Sequence, residues 1–106
     1  MKPRKYRNEP VIVHGVRYAS RKEFRRHGDL KLLERAGQIS DLKFQPKFKF
    51  ELNGIKICEY WADYSYIESG ANVVEDVKSP STRKDKVYVL KKKLMKAFFN
   101  IDIREV

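Results

Sequence analysis

The chain has 106 residues and carries 24 Lys and Arg against 14 Asp and Glu, a formal net charge of +10, which fits one domain with a polyanionic partner, nucleic acid ahead of a membrane surface. No apolar run approaches the roughly 20 residues that span a bilayer, and the basic N-terminus has no apolar stretch to act as a secretory signal. A single cysteine, Cys58, excludes an intramolecular disulfide, one Cys with two His excludes the common structural zinc sites, and the expected compartment is the reducing cytoplasm.

Residues 1–10 read as a basic arm with two prolines, and residues 11–106 as a single domain. Val11 to Tyr18 predicts two short strands around a His14-Gly15 turn. Ser20 with Glu23 three residues on has the form of a capping box, so a helix should follow, run to about Ala36 and stop at Gly37. Phe24, Gly28, Leu32 and Ala36 recur at i, i+4 and are expected to form its buried ridge. From Ile39 the pattern changes to strands. Phe44, Phe48 and Phe50 fall on one face, with Lys43, Gln45, Lys47 and Lys49 on the other. Asn53-Gly54 predicts a hairpin turn into a long aromatic strand from Ile55 to Ile67. Ser69-Gly70 turns the chain into a third strand, Asn72 to Lys78. Ser79 to Thr82 breaks it, and Thr82 with Asp85 can cap a second helix. That helix is expected to bury Val87, Leu90, Leu94 and Phe98, and a last short strand spans Ile101 to Arg104. The predicted class is α/β, with a short N-terminal β-hairpin followed by the order α-β-β-β-α-β.

The charge is unevenly spread. Residues 1–35 carry a net +7, residues 36–76 a net −3 and residues 77–106 a net +6. Two basic flanks enclose an acidic middle, and acids among basic residues make sense where a divalent cation bridges them to phosphate; mixed surface charge for solubility explains the same totals. Asp63 stands within the aromatic strand, where a carboxylate is costly unless paired. Asp76 and Lys78 share one strand face, because residues i and i+2 point the same way. If the two strands pair as a hairpin, Asp63 lies near Asp76. With the Val77 carbonyl they form a hard oxygen site suited to Mg²⁺ or Mn²⁺. Lys78 beside it can hold the attacking water and offset phosphate charge.

Asp63, then Asp76-Val77-Lys78, together with the element order, resembles the PD-(D/E)XK nuclease superfamily, and within it small phage-type endonucleases related to Holliday junction resolvases. The resemblance runs from Val11 to Arg104. It implies a restriction-endonuclease-like core with a mixed central sheet and metal-dependent hydrolysis of DNA phosphodiesters, directed at branched or junction DNA in recombination or processing. By motif position it makes Asp63, Asp76 and Glu23 the metal ligands with Val77, and Lys78 the catalytic lysine; Gln45 before Pro46 also matches. Asp76 stands where glutamate is commoner, and Glu75 is adjacent, but the two-residue step to Lys78 favours Asp76. Glu23 has an equal claim as a plain helix cap. Lys43, Gln45, Lys47, Lys49, Lys91, Lys92 and Lys96 are the expected nucleic-acid contacts. The expected partners are DNA and a second copy of the chain, with no membrane and no small-molecule cofactor. The alternative is a non-catalytic basic nucleic-acid-binding module on a degenerate nuclease fold.

Overall fold

The computed structural model describes residues 9–106; most of the basic arm lies outside them. The first strands, β1 (Val11–Val13) and β2 (Val16–Tyr18), pair antiparallel across His14-Gly15. Tyr18 docks this hairpin on the next helix: it is buried, and its hydroxyl lies 2.7 Å from His27 Nδ1. The helix α1 (Arg21–Arg35) follows, capped by Ser20. Four strands then form the central sheet: β3 (Ser40–Phe44), β6 (Tyr64–Glu68), β7 (Ala71–Asp76) and β8 (Arg104–Glu105), in the order β3-β6-β7-β8. The first three pair antiparallel and β8 runs parallel to β7, so the sheet is mixed. A separate hairpin, β4 (Lys47–Leu52) and β5 (Ile55–Trp61), is inserted between β3 and β6. Its Asn53-Gly54 turn has positive φ at both residues, the geometry that matches the twist of paired strands and that glycine adopts without strain. Between β7 and β8 lie a short helix α2 (Pro80–Arg83) and the long helix α3 (Lys86–Phe99).

The two long strands expected from the sequence are each broken, and at the same place. Gln45 takes a left-handed φ of 54°, and Pro46 after it has no N–H to give a ladder. Opposite them the chain breaks at Ala62-Asp63. The strands still hold together around the corner, because Gln45 N–H donates to the Asp63 carbonyl (2.8 Å) and Ala62 N–H to the Pro46 carbonyl (3.0 Å). Lys43 therefore sits on the central sheet, while Lys47 and Lys49 sit on the hairpin, and the expected common face of Lys43, Gln45, Lys47 and Lys49 is divided. Asp63 lies at the corner itself, outside the strands.

Two apolar clusters hold the layers. Leu30, Ile39, Tyr64 and Tyr66 pack with Leu33, Leu42 and Phe44 between α1 and one side of the sheet. Phe50, Tyr60, Ala62, Val74, Tyr88 and Met95 pack with Leu94 and Phe98 on the α3 side. Both helices are rotated from expectation. On α1, Phe24, Gly28, Leu32 and Ala36 are exposed, and Glu23 and Leu30 are buried instead. Polar pairing turns this helix: the guanidinium of Arg26 makes a bidentate pair with the fully buried Glu75 of β7, at 2.6 and 2.8 Å. Glu75 also accepts the Tyr66 hydroxyl (2.6 Å), which in turn accepts from Arg104 (3.0 Å). On α3, Asp85 caps the helix, Tyr88 and Met95 face inward, and Val87 and Leu90 remain exposed. The Tyr88 hydroxyl reaches Glu105 of β8 at 2.7 Å, which fixes that rotation. The last strand lies slightly later than expected, with Ile101 and Ile103 packed into the core ahead of it. Among the described residues, no helix is long and apolar enough to cross a membrane.

Arg26 and Glu75 tie α1 to β7 in a buried setting. Arg26→Met should therefore lower the unfolding free energy by roughly 3–5 kcal/mol, because it leaves Glu75 buried without its partner. The paired replacement Arg26→Met with Glu75→Leu should recover much of that loss. Urea unfolding of the three proteins checks this; equal losses in the single and double variants would contradict it.

Candidate active site

The ladder between β6 and β7 ends at the pair Tyr64–Glu75. Just beyond that pair, the N–H groups of Asp63 and Val77 are outside the ladder. Side chains complete what the ladder leaves open: Asp76 Oδ1 accepts from Asp63 N–H (2.9 Å) and Asp63 Oδ2 accepts from Val77 N–H (2.8 Å). Two carboxylates are thereby fixed against each other at one end of the sheet. A third comes from α1. Ser20 Oγ accepts the Glu23 N–H (3.2 Å), and the buried Tyr64 hydroxyl donates to the Glu23 carbonyl (2.6 Å). This clamps the first helical turn over the corner, where Glu23 and Asp63 line the wall of one cleft. Ser20 thus caps α1 through the Glu23 N–H, but among the described hydrogen bonds the Glu23 carboxyl does not return to the Ser20 main chain to close the expected capping box; it lines the cleft with Asp63 instead.

Lys78 completes the group. Its Nζ lies 3.6 Å from Asp76 Oδ2 and 4.6 Å from the centre of the Tyr88 ring. Two residues after the end of β7, its position is held by pairing with the C-terminal residue: Lys78 N–H donates to the Val106 carbonyl (3.1 Å) and Val106 N–H to the Asp76 carbonyl (2.9 Å). The Tyr60 hydroxyl donates a hydrogen bond to Asp76 Oδ2. Glu75, next to Asp76, points to the opposite side of the sheet into the Arg26 pair.

Burial dominates the electrostatics. It pushes the Asp63 carboxyl up to about 6, with the Glu23 charge and hydrogen bond adding to the rise and the Val77 N–H opposing it. Burial also raises Asp76 to about 6, followed by the neighbouring Asp63 charge, against the Tyr60 hydrogen bond and Lys78. Glu23 is raised for the same first reason. Burial and the Asp76 charge keep the Tyr60 hydroxyl protonated far above neutrality. Three like charges in a poorly hydrated corner thus hold protons that solvated carboxyls would release.

Beside them opens a cleft of about 360 Å³ that Glu23, Asp63, Val77 and Lys78 line together with Lys22, Gln45 and Thr82. Carboxylate and carbonyl oxygens are hard donors of the kind Mg²⁺ and Mn²⁺ prefer, and a cation would offset the repulsion between the Glu23 and Asp63 charges. The donor chemistry therefore fits such an ion. Among the described residues, however, no three His, Cys, Asp or Glu side chains already stand in a ligating group, since the oxygens of Asp63 and Asp76 face main-chain N–H groups and Tyr60.

Of the expected nucleic-acid contacts, Gln45 lines this cleft, and Lys91 lines a second cavity that shares Lys78 with it. The others carry acidic partners: Lys43 with Asp41 (3.6 Å), Lys47 with Glu59 (3.8 Å), Lys49 with Glu51 (3.2 Å), Lys92 with Glu105 (3.1 Å) and Lys96 with Asp102 (3.0 Å). Sequence reasoning missed Lys22, Thr82 and Tyr60. The Ser79-Pro80 cap signature puts Thr82 in the first turn of α2, on the cleft lining, and the alternation of Tyr60 with the half-buried Glu59 and exposed Trp61 is a signal for its inward direction.

An α/β fold with a mixed sheet, holding the buried Glu23 and Asp76, the half-buried Asp63 and a lysine at one sheet end, is the class that these observations define. Over residues 3–105 the chain matches the family DUF1064, described as a protein of unknown function, and it belongs to that family. No curated protein and no solved structure matches the chain.

The raised carboxyls have a consequence for stability. A carboxyl near 6 in the folded chain and near 4 in the unfolded one binds more protons when folded between those values. Its contribution is complete below pH 4, falls as pH rises through 6, and is lost above. The metal-free protein should accordingly lose on the order of 1–3 kcal/mol per such group between pH 4 and pH 7. Asp63→Asn keeps an acceptor for Val77 N–H and gains a donor for Glu23. It should melt at or above the wild type at pH 8 in EDTA, with a flatter pH profile. Thermal melts across pH 4–8 decide it; a variant melting well below the wild type at pH 8 would show that Asp63 is a structural acid.

Proposed function

We propose that this protein is a divalent-metal-dependent DNA endonuclease, built on a restriction-endonuclease-like core and directed at branched or junction DNA. The observation that carries this reading is that Glu23, Asp63 and Lys78 line one cleft, with Asp76 buried behind them and bound to the Asp63 N–H and beside Lys78. The element order supports it: with the β4–β5 hairpin and the one-turn helix α2 set aside, α1-β3-β6-β7-α3-β8 follows the α-β-β-β-α-β order of the PD-(D/E)XK nucleases it resembles. The net charge of +10 supports a phosphodiester substrate, because a basic protein concentrates polyanions at its surface.

Asp63, Asp76 and Glu23, with the Val77 carbonyl, would hold Mg²⁺ or Mn²⁺. When bound, the ion supplies charge neutralisation at the scissile phosphate and a more acidic water. Lys78, held between Asp76 and the Tyr88 ring, directs its ammonium at the phosphate oxygens and orients the nucleophilic water. Tyr60 fixes the Asp76 carboxylate. Lys22, Gln45 and Thr82 at the cleft wall are placed to seat the strand. A homodimer would present two such sites to two strands, and the setting would be the cytoplasm.

A second reading has its own observation. Asp63 and Asp76 each accept a main-chain N–H, as acids with a purely structural role would, and this favours a nucleic-acid-binding module without catalysis.

Incubation with duplex, flap and four-way DNA separates the two. Cleavage should require Mg²⁺ or Mn²⁺, favour the branched forms, and vanish in EDTA and with Asp76→Asn. Lys78→Ala should lower the rate by roughly 10²–10³-fold, the usual effect of removing a group that stabilises transition-state charge. Binding without cleavage of any substrate, or cleavage undiminished in EDTA, would defeat the nuclease reading. In either case duplex affinity should fall with log salt at a slope of about −0.9 per phosphate neutralised.

A further inference from the structure

Lys78 lines two cavities. On one side is the acid cleft; on the other is a cavity of about 390 Å³ walled by Tyr60, Trp61, Val87, Tyr88 and Lys91. Its character is different. Trp61 is 57% exposed and Val87 60% exposed, although tryptophan is highly buried on average. Tyr60 and Tyr88 form an aromatic wall, and cations stand around it. Lys47 lies 5.5 Å over the Trp61 ring, Lys92 5.7 Å over the Tyr88 ring, and Lys91 lines the wall. Tyr60, the partner of Asp76, lines this cavity together with Trp61 and Lys78, so the cavity borders the acid cluster.

We propose that this cavity receives an unpaired nucleobase of the DNA strand whose phosphate lies in the acid cleft, with Trp61 as its stacking platform. The proposal rests on the nuclease reading for the position of that phosphate. Lys78 would lie between phosphate and base, reaching both spaces at once. A paired base keeps its π-face within the duplex stack, whereas an unpaired one can offer it to an aromatic ring, and stacking of this kind is tolerant of sequence. Lys78 and Lys91, set against the one acid of the lining, Asp85, match the strand's charge, and the aromatic wall matches the base. Trp61 thus becomes the residue that makes the enzyme prefer unpaired nucleotides, as flaps, gaps and branch points present them.

Trp61 is the only tryptophan in the chain, so its emission reports the site directly. In EDTA, wild-type protein is titrated with a short oligodeoxythymidylate, an all-abasic oligomer of equal length and a blunt duplex. Oligodeoxythymidylate should quench the emission, and the abasic oligomer and the duplex should bind without quenching. By anisotropy of labelled DNA, Trp61→Ala should bind oligodeoxythymidylate about 5- to 150-fold more weakly, the stacking contribution of one base. Its duplex affinity should be unchanged, and Trp61→Phe should recover most of the loss. Unquenched emission from a bound oligodeoxythymidylate, or equal weakening toward duplex and abasic DNA, would overturn the proposal. Cleavage with Mn²⁺ tells the two readings apart. If Asp76→Asn is inactive while Trp61→Ala keeps every substrate preference, the stacking site falls and the nuclease stands. If the wild type is quenched as expected but cuts nothing, the stacking site stands and the nuclease falls.

Discussion

Everything at the candidate site depends on where the β6–β7 ladder gives out. Beyond the Tyr64–Glu75 pair the strands part, and two main-chain N–H groups, of Asp63 and Val77, need acceptors inside the protein. A buried N–H without a partner costs about as much as a lost hydrogen bond. Each carboxylate that supplies the acceptor is itself expensive to bury as an anion. The corner therefore resolves one cost by incurring another, and the residual cost appears as carboxyls that hold protons up to about pH 6. Sites that break the local rules of stable folding in this way are where function is commonly found.

Two neighbouring acids on β7 show how strand alternation assigns roles. Glu75 and Asp76 are both almost completely buried. Glu75 faces α1, where Arg26, Tyr66 and, through Tyr66, Arg104 neutralise and satisfy it. Asp76 faces the α3 side, where it meets a neutral hydroxyl, a main-chain N–H and a lysine at 3.6 Å. One acid is closed into the frame and the other is left only partly compensated. The closed pair in turn holds α1 on the sheet, with Arg26 one turn beyond Glu23, so it supports the acid cluster without joining it.

The basic surface is organised less as a clamp than as a field. Most of the lysines that the sequence marks out are matched to nearby acids, and exposed pairs of that kind contribute little to stability. What they leave is a net positive protein whose partly uncompensated charges, Lys78 and Lys91 among the lining residues, border the two adjoining cavities. A field draws in polyanions of any sequence. Discrimination then depends on what the cavities accept, and the aromatic one beside Lys78 is the least like the rest of the surface.

The sequence by itself determined the elements that local chemistry controls. The Asn53-Gly54 and Ser69-Gly70 turns, the Ser20 cap, the α/β order and the proximity of Asp63 to Asp76 all follow from turn geometry, capping and a hairpin register. Asp76 was separable from Glu75 on strand alternation alone. Helix rotation was not legible: the i, i+4 ridge of Phe24, Gly28, Leu32 and Ala36 is a fair apolar face, but the buried pairing of Arg26 with Glu75 outweighs it. The corner at Gln45 and Asp63 was not legible either, because a strand that bends into a second sheet keeps the same alternation on both sides of the bend. Only the tertiary structure decided that Glu23 meets Asp63, that Tyr60 holds Asp76, and that Trp61 stays in the open beside Lys78. These are contacts between distant segments, and their energies depend on burial and on partners that no local pattern encodes.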